Sequence, residues 1–226
     1  MATLLDHLHD NPYPGRGIVW ARLPDGSWCA AYLLTGRSDA SRRREIRLGP
    51  HGELEVVPTD AVQDDDLRHY AAALESGTWL VWGNGRQVAT VGDRLDRGTV
   101  PVVALQDLEY EPDPPILTAR ITAIVDGGDP TRAWFGIARR PLSPRTAGVV
   151  VTATVPDLAP GDAILVTTYR SDGTTVEPAE VYLEGTTEAA NPAELTDQLW
   201  AALAPERRVA VAAFRPGGLR EAVIRD

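Results

Sequence analysis

Short apolar runs, divided by turns rich in glycine, proline and aspartate, set the rhythm of this chain. GIVWARL (17–23) and SWCAAYLL (27–34) are separated by PDG, a pattern that predicts a β-hairpin. EIRL (45–48) and ELEVV (53–57) flank GPHG and predict a second one. TWLVW (78–82) reads as a strand ending at Gly83-Asn84-Gly85. Further on, ILTARITAIV (116–125), WFGIARR (134–140), GVVVTATV (148–155) and DAILVTTY (162–169) read as strands, with Asp-Gly pairs at Asp126 and Asp172 marking tight connections. RRVAVAAFR (207–215) and LREAVI (219–224) predict a closing hairpin across PGG.

Helical signals are fewer. Thr3 caps a short helix through about His9, which NPYPGRG (11–17) then stops. A helix is expected over roughly Val100 to Leu108, with Pro101 in its first turn. Asn191 caps another that runs to about Leu203, with Pro192 at the first helical position and Glu194 completing a capping box. The stretch from Asp66 to Ser76 is helical by propensity and strand-like by its apolar centre, and both readings stand. Many strands, few helices and no regular alternation predict an α+β fold with antiparallel or mixed sheets. No Gly-rich dinucleotide fingerprint follows the first strand. Asp113 to Pro115 is the best internal boundary, read as joining halves of one core, so a single domain is expected over residues 1–226.

Composition narrows the functions. The chain has 226 residues, 43% of them hydrophobic, with six tryptophans, enough to fill a core. No apolar run reaches the ~18 residues of a membrane span, and the N-terminus does not read as a signal peptide, so a cytoplasmic protein is expected. A formal net charge of -10 opposes broad nucleic-acid binding. All 22 basic residues are arginine. Schiff-base lysines and the lysine of a Walker loop are thereby excluded, and phosphate recognition falls to arginine forks or backbone amides. Cys29 is the sole cysteine, inside an apolar run, and reads as a buried structural thiol. His7, His9, His51 and His69 show no metal-ligand spacing, so no metal is expected.

Four clusters carry candidate chemistry. Arg16 with Arg37, Ser38, Ser41, Arg42, Arg43 and Arg44 concentrates positive charge and hydroxyl donors suited to a phosphate; the plain alternative is a solvated charged loop. Asn84 and Gln87, in WGNGRQ, suit a base or carboxamide, or else form an ordinary hairpin turn. Glu111 and Asp113 precede Arg120 and can orient a substrate or anchor a loop. Tyr169 opens a polar turn with Asp172, where a phenol can donate a proton or stack locally.

Taken in order, NPYPGRG, AYLLTGRSDASRRR, NGRQ, EYEPDPPILTARI and TTYRSDG resemble the archaeal-type IMP cyclohydrolases. The resemblance implies a four-layer αββα sandwich of mostly antiparallel sheets, similar to Ntn-hydrolases but without their processed N-terminal nucleophile. It implies intramolecular ring closure of 5-formamidoimidazole-4-carboxamide ribonucleotide (FAICAR) to IMP with loss of water, without a cofactor. Residue by residue, it implies catalytic roles for Arg37, near the reacting carboxamide, Glu111, aligning the amide, and Tyr169, donating a proton. It places Arg42 and Arg44 on the 5'-phosphate, with Arg16 as a second phosphate candidate, and Asn84 on the base. Ser38, Gln87, Arg120 and Asp172 complete the expected substrate-binding set. The implied partner is a purine nucleotide rather than nucleic acid or membrane, with a homo-oligomer left open. The chain departs from the pattern at Arg43 (usually Asn), Arg170-Ser171 (usually Asn-Gly) and Val88-Ala89 (usually Thr-Asp). Three other functions stay open on the sequence: a non-catalytic nucleotide-binding homologue, an amide hydrolase, and a structural or interaction domain with no small-molecule site.

Overall fold

The first hairpin forms where its turn dictates. Strands β1 (Arg16–Arg22) and β2 (Trp28–Thr35) pair antiparallel, with Ile18 opposite Tyr32 and Trp20 opposite Ala30. The computed structural model describes residues 1–60, 65, 67–141, 148–172, 174–178 and 182–226. On the free edge of β1 lies β10 (Asp162–Thr167), followed by β13 (Leu183–Thr186); on that of β2 lies β14 (Arg208–Phe214), followed by β15 (Val223–Arg225). These make a six-stranded sheet among the described residues.

The second sheet is a meander of β3 (Arg44–Leu48), β4 (Leu54–Pro58), β5 (Tyr70–Ser76), β6 (Trp79–Gly83), β7 (Arg120–Asp126), β8 (Asp129–Arg139) and β9 (Val149–Pro156). Strands consecutive in sequence lie side by side, as short connections favour. Every strand pair in both sheets is antiparallel. A small ribbon, β11 (Tyr169–Ser171) with β12 (Val176–Pro178), stands apart.

Strand side chains alternate between two faces, and in the central strands here both faces are covered, whereas β9 keeps alternate positions exposed. Ile18, Trp20, Tyr32, Leu34, Ala212 and Phe214 of the first sheet meet Leu54, Val56, Leu80, Trp82, Ile121 and Phe135 of the second. The alternate set, Val19, Ala21, Leu33, Val211 and Ala213, packs against Leu4 and Leu8 of α1 (Leu4–His9) and Leu195 and Leu199 of α5 (Pro192–Ala202). On the far side, Val81, Ile124 and Ala138 meet Val88, Val91 and Leu95 of α3 (Gln87–Asp96) and Ala104 of α4 (Pro101–Ala104). Burial on both faces is why the strands read as continuous apolar runs rather than alternating ones. Trp82 sits at the centre of the interface, with ring centroids 5.8 Å from Trp20 and 6.4 Å from Phe214. No helix among the described residues is long and apolar enough to cross a membrane.

The α+β expectation, the three hairpins and the Thr3 cap hold. The ambiguous stretch is a strand from Tyr70, because β4 and β6 flank it and take its backbone hydrogen bonds; Asp66, where that stretch began, lies outside the described residues. The helix expected over 100–108 ends at Ala104, and Asp107 takes a positive φ of 56° that cannot continue it. The strand expected from Ile116 begins only at Arg120. Helix α3 was not foreseen at all, although Val88, Val91 and Leu95 carry its 3.6-residue period. Asn191 caps α5 by accepting from the Glu194 amide, but the Glu194 carboxylate reaches the Ala190 amide and the Asn191 side chain, so the reciprocal capping box is not made.

Trp82→Ala is expected to lower the unfolding free energy by about 3–5 kcal/mol, read from urea denaturation, since the ring is fully buried between the sheets.

Candidate functional site

Four segments converge at strand ends: the start of β1, the turn after β6, the loop before β7 and the start of β11. Gly83 makes the first approach possible, because a Cβ there would lie 2.2 Å from the Ile121 carbonyl oxygen. Asn84 then extends the pairing of β6 with β7 through its side chain. Its Oδ1 accepts from the Ile121 amide at 2.6 Å, and its Nδ2 donates to the Ala119 carbonyl at 3.0 Å and to Glu111 Oε1 at 3.1 Å.

Glu111 is 3% exposed. Its backbone amide donates to the Thr118 carbonyl at 2.8 Å, closing the loop that carries it, and its Oε1 also takes a hydrogen bond from the Arg16 guanidinium at 2.5 Å. Arg16 is 8% exposed. Burial works against its charge, yet the Glu111 carboxylate holds its proton more tightly than in an ordinary arginine. Gly85 turns the chain beside this pair at φ 114°. A Cβ on Gly85 would lie 3.0 Å from Gln87 Oε1, 3.6 Å from Glu111 Oε1 and 3.7 Å from Arg120 Nε, so these three groups surround one point. Gln87 is pinned through its Nε2 to the carbonyls of Asn84 and Ile121. Gln87 Oε1 and Arg120 Nε are buried with no protein hydrogen-bond partner among the described residues.

Tyr169 joins from the other side. Its hydroxyl bonds the Thr118 hydroxyl, and its ring stacks on Tyr13 at 5.6 Å. Burial pushes its phenol up to about 12, against the opposing effect of Arg16. Asn11 fixes the turn by donating to the Tyr169 carbonyl at 2.8 Å and accepting from the Ser171 amide at 3.0 Å. The guanidinium groups of Arg37 and Arg207 lie over the Tyr13 ring at 5.9 and 5.5 Å. The structure therefore brings Arg16, Asn84, Gln87, Glu111, Arg120 and Tyr169 together, with Arg37 reaching them through Tyr13.

The rest of the arginine segment is a helix rather than a loop. Ser38 caps α2 (Asp39–Arg42), and its hydroxyl is engaged with Ser41. Arg42 is exposed, pairs with Asp39 and donates to the Arg37 carbonyl at 3.2 Å. Arg44 turns inward instead, donating to the carbonyls of Ser41 at 2.7 Å and Thr35 at 3.1 Å. Asp172 is exposed and accepts from the backbone amides of Thr174 and Thr175; those hydrogen bonds, Thr175 first, hold its carboxyl down at about 2. Gly173 of the same motif lies outside the described residues. Of the departing residues, Val88 is a buried core residue of α3 and Ala89 is exposed.

Sequence reasoning missed a buried pair beside Arg16: the hydroxyls of Tyr32 and Tyr70 lie 2.8 Å apart. Burial, then Tyr70, pushes the Tyr32 phenol far above its usual value, so it stays neutral. The signal was present, since a tyrosine on the same strand face as Ala30 and Leu34 carries a hydroxyl into the core that needs a partner.

Residues 13–217 match the model of the IMP cyclohydrolase-like proteins. This chain belongs to that family. The IMP cyclohydrolase of Methanopyrus kandleri is 34% identical over 130 residues, covering 55% of this chain and 62% of that protein. The family match spans all four segments that meet at the Arg16–Glu111 pair.

Glu111→Ala is expected to cost about 3–5 kcal/mol in urea denaturation, because it leaves the Arg16 charge buried and unpaired; Arg16→Met with Glu111→Leu is expected to recover most of that loss.

Proposed function

We propose that this protein is an IMP cyclohydrolase that closes the second ring of IMP from FAICAR with loss of water. What carries the reading is the family match together with a buried carboxylate, Glu111, fixed by Arg16 and Asn84 where Gln87, Arg120 and Tyr169 converge. The reaction is intramolecular. The carboxamide nitrogen attacks the formyl carbon, giving a carbinolamine. Water then leaves with the formyl oxygen, one proton coming from the carboxamide nitrogen and one from the formamido nitrogen. Holding the formyl group in the reactive conformer supplies much of the rate.

In this reading Glu111 aligns the attacking amide, and Arg16 serves Glu111 rather than phosphate, since the two are buried together. Asn84 holds the carboxylate, while Gln87 Oε1 and Arg120 Nε offer an acceptor and a donor to the carboxamide or base. Arg37, exposed over Tyr13, stabilises charge on the formyl oxygen. Arg42 binds the 5'-phosphate from the exposed end of α2, and Ser38 and Arg44 shape that segment. Asp172 holds the turn beside Tyr169. The helix, sheet, sheet, helix layering supports the Ntn-hydrolase-like sandwich, and the shared core drawn from Ile18 through Ile224 supports one domain.

Cys29 weighs against an amide hydrolase. It is fully buried in β2, and burial pushes its thiol from 9.0 up to about 12. The native protein is expected to resist thiol reagents near pH ~8 and to be modified once unfolded. The function itself is tested by the ultraviolet absorbance change on mixing purified protein with FAICAR. Conversion to IMP is expected, with KM raised about tenfold or more in Arg42→Ala; no conversion above background overturns the proposal.

A further inference from the structure

Tyr169 has one hydroxyl proton, and the structure shows where it goes. Asp113 lies in the loop before β7, half-buried, and takes two hydrogen bonds from a single residue. Its Oδ1 accepts from the Thr118 amide at 2.7 Å, and its Oδ2 accepts from the Thr118 hydroxyl at 2.5 Å. A carboxylate has acceptors only, so the Thr118 hydroxyl spends its single proton on Asp113. The Thr118 oxygen is then an acceptor towards its other neighbour, the Tyr169 hydroxyl, which must supply the proton between them. Were Thr118 to donate to Tyr169 instead, two bare oxygens would face each other across 2.5 Å at Asp113.

We infer that Asp113 and Thr118 form a directional chain that makes Tyr169 a hydrogen-bond acceptor towards the substrate, not the proton donor that its sequence motif implies. The phenol offers lone pairs to a carboxamide N–H and thereby orients the attacking nitrogen. Asp113 and Thr118 are positioning residues, since they act only through Tyr169. The stack on Tyr13 and the Asn11 hydrogen bonds hold the ring in place while the chain sets its polarity. The substrate part of this inference rests on the cyclohydrolase reading; the direction of the chain does not.

Asp113→Asn tests it with little change in shape. The new amide nitrogen donates to the Thr118 oxygen, Thr118 then donates to Tyr169, and the phenol proton is released towards the substrate. The first readout needs no activity: the 13Cζ chemical shift of Tyr169 at neutral pH, assigned by its loss in Tyr169→Phe. In Asp113→Asn it is expected to move upfield, as a phenol changes from donor to acceptor towards Thr118. Thr118→Val, which removes the acceptor, is expected to move it the same way. An unmoved signal in both variants overturns the chain.

The second readout is steady-state ring closure. Asp113→Asn is expected to lower kcat about tenfold or more. Thr118→Ser, which keeps the hydroxyl, is expected to stay within about twofold of wild type. Activity in Asp113→Asn equal to or above wild type shows that a released phenol proton serves the reaction and overturns the acceptor role. A wild-type protein without activity defeats the cyclohydrolase reading and with it the substrate role, while the chemical shift still decides the direction.

Discussion

A charge pair sealed between two sheets is the constraint around which this molecule is arranged. Arg16 opens β1 of the six-stranded sheet, and Glu111 sits in the loop leading to β7 of the seven-stranded one. Removing both groups from water is expensive, and their attraction offsets that cost only if the remaining polar atoms are satisfied. Asn84 supplies part of that satisfaction and in doing so ties the end of β6 to Ala119, Ile121 and Glu111 at once. The pair therefore fixes how the two sheets meet at this end. The tryptophans and aliphatic residues farther in supply the apolar burial that holds them together.

The same arrangement explains why polar groups gather here rather than elsewhere. Central strand interiors are covered on both faces, and the hydrogen-bonded polar cluster of Asn84, Gln87 and Glu111 forms where strands end. Gly83 and Gly85 let backbone approach where any side chain would collide or strain, and α3 starts directly after them, bringing Gln87 to the cluster. Tyr169 arrives on a separate ribbon, oriented by Asn11 and stacked on Tyr13. The cations over Tyr13 place positive charge next to this aromatic pair without burying it.

The arginine segment shows how residues of one type divide their work. The Thr35 hydroxyl donates to the Gly15 carbonyl, which holds the end of β2 near the start of β1, and Arg44 donates to the Thr35 carbonyl, which ties the start of β3 to the same strand end. Arg42 and Arg37 stay at the surface. Neighbours in a charged run thus turn inward or stay at the surface according to which side of the capped turn they leave from, and Ser38 sets that turn with its own hydroxyl.

The sequence by itself determined the strand-rich class, the three hairpins and the Thr3 and Asn191 caps, and it marked the segments that meet at the Arg16–Glu111 pair. These follow from turn residues, apolar runs and side-chain capping, all of which act within a few residues. It also marked Asn84 and Tyr169 at strand ends and Glu111 in the loop before a strand, because polar residues there stand out from their surroundings. Only the tertiary structure decided that Tyr70 begins a strand, since flanking strands and not propensity settle that choice. It alone placed Arg16 on Glu111, turned Arg44 inward and joined Tyr169 to Thr118 and Asp113, pairings that span from a few residues to nearly a hundred along the chain. Such pairings depend on which groups meet once the sheets are stacked, and no local pattern along the chain encodes that meeting.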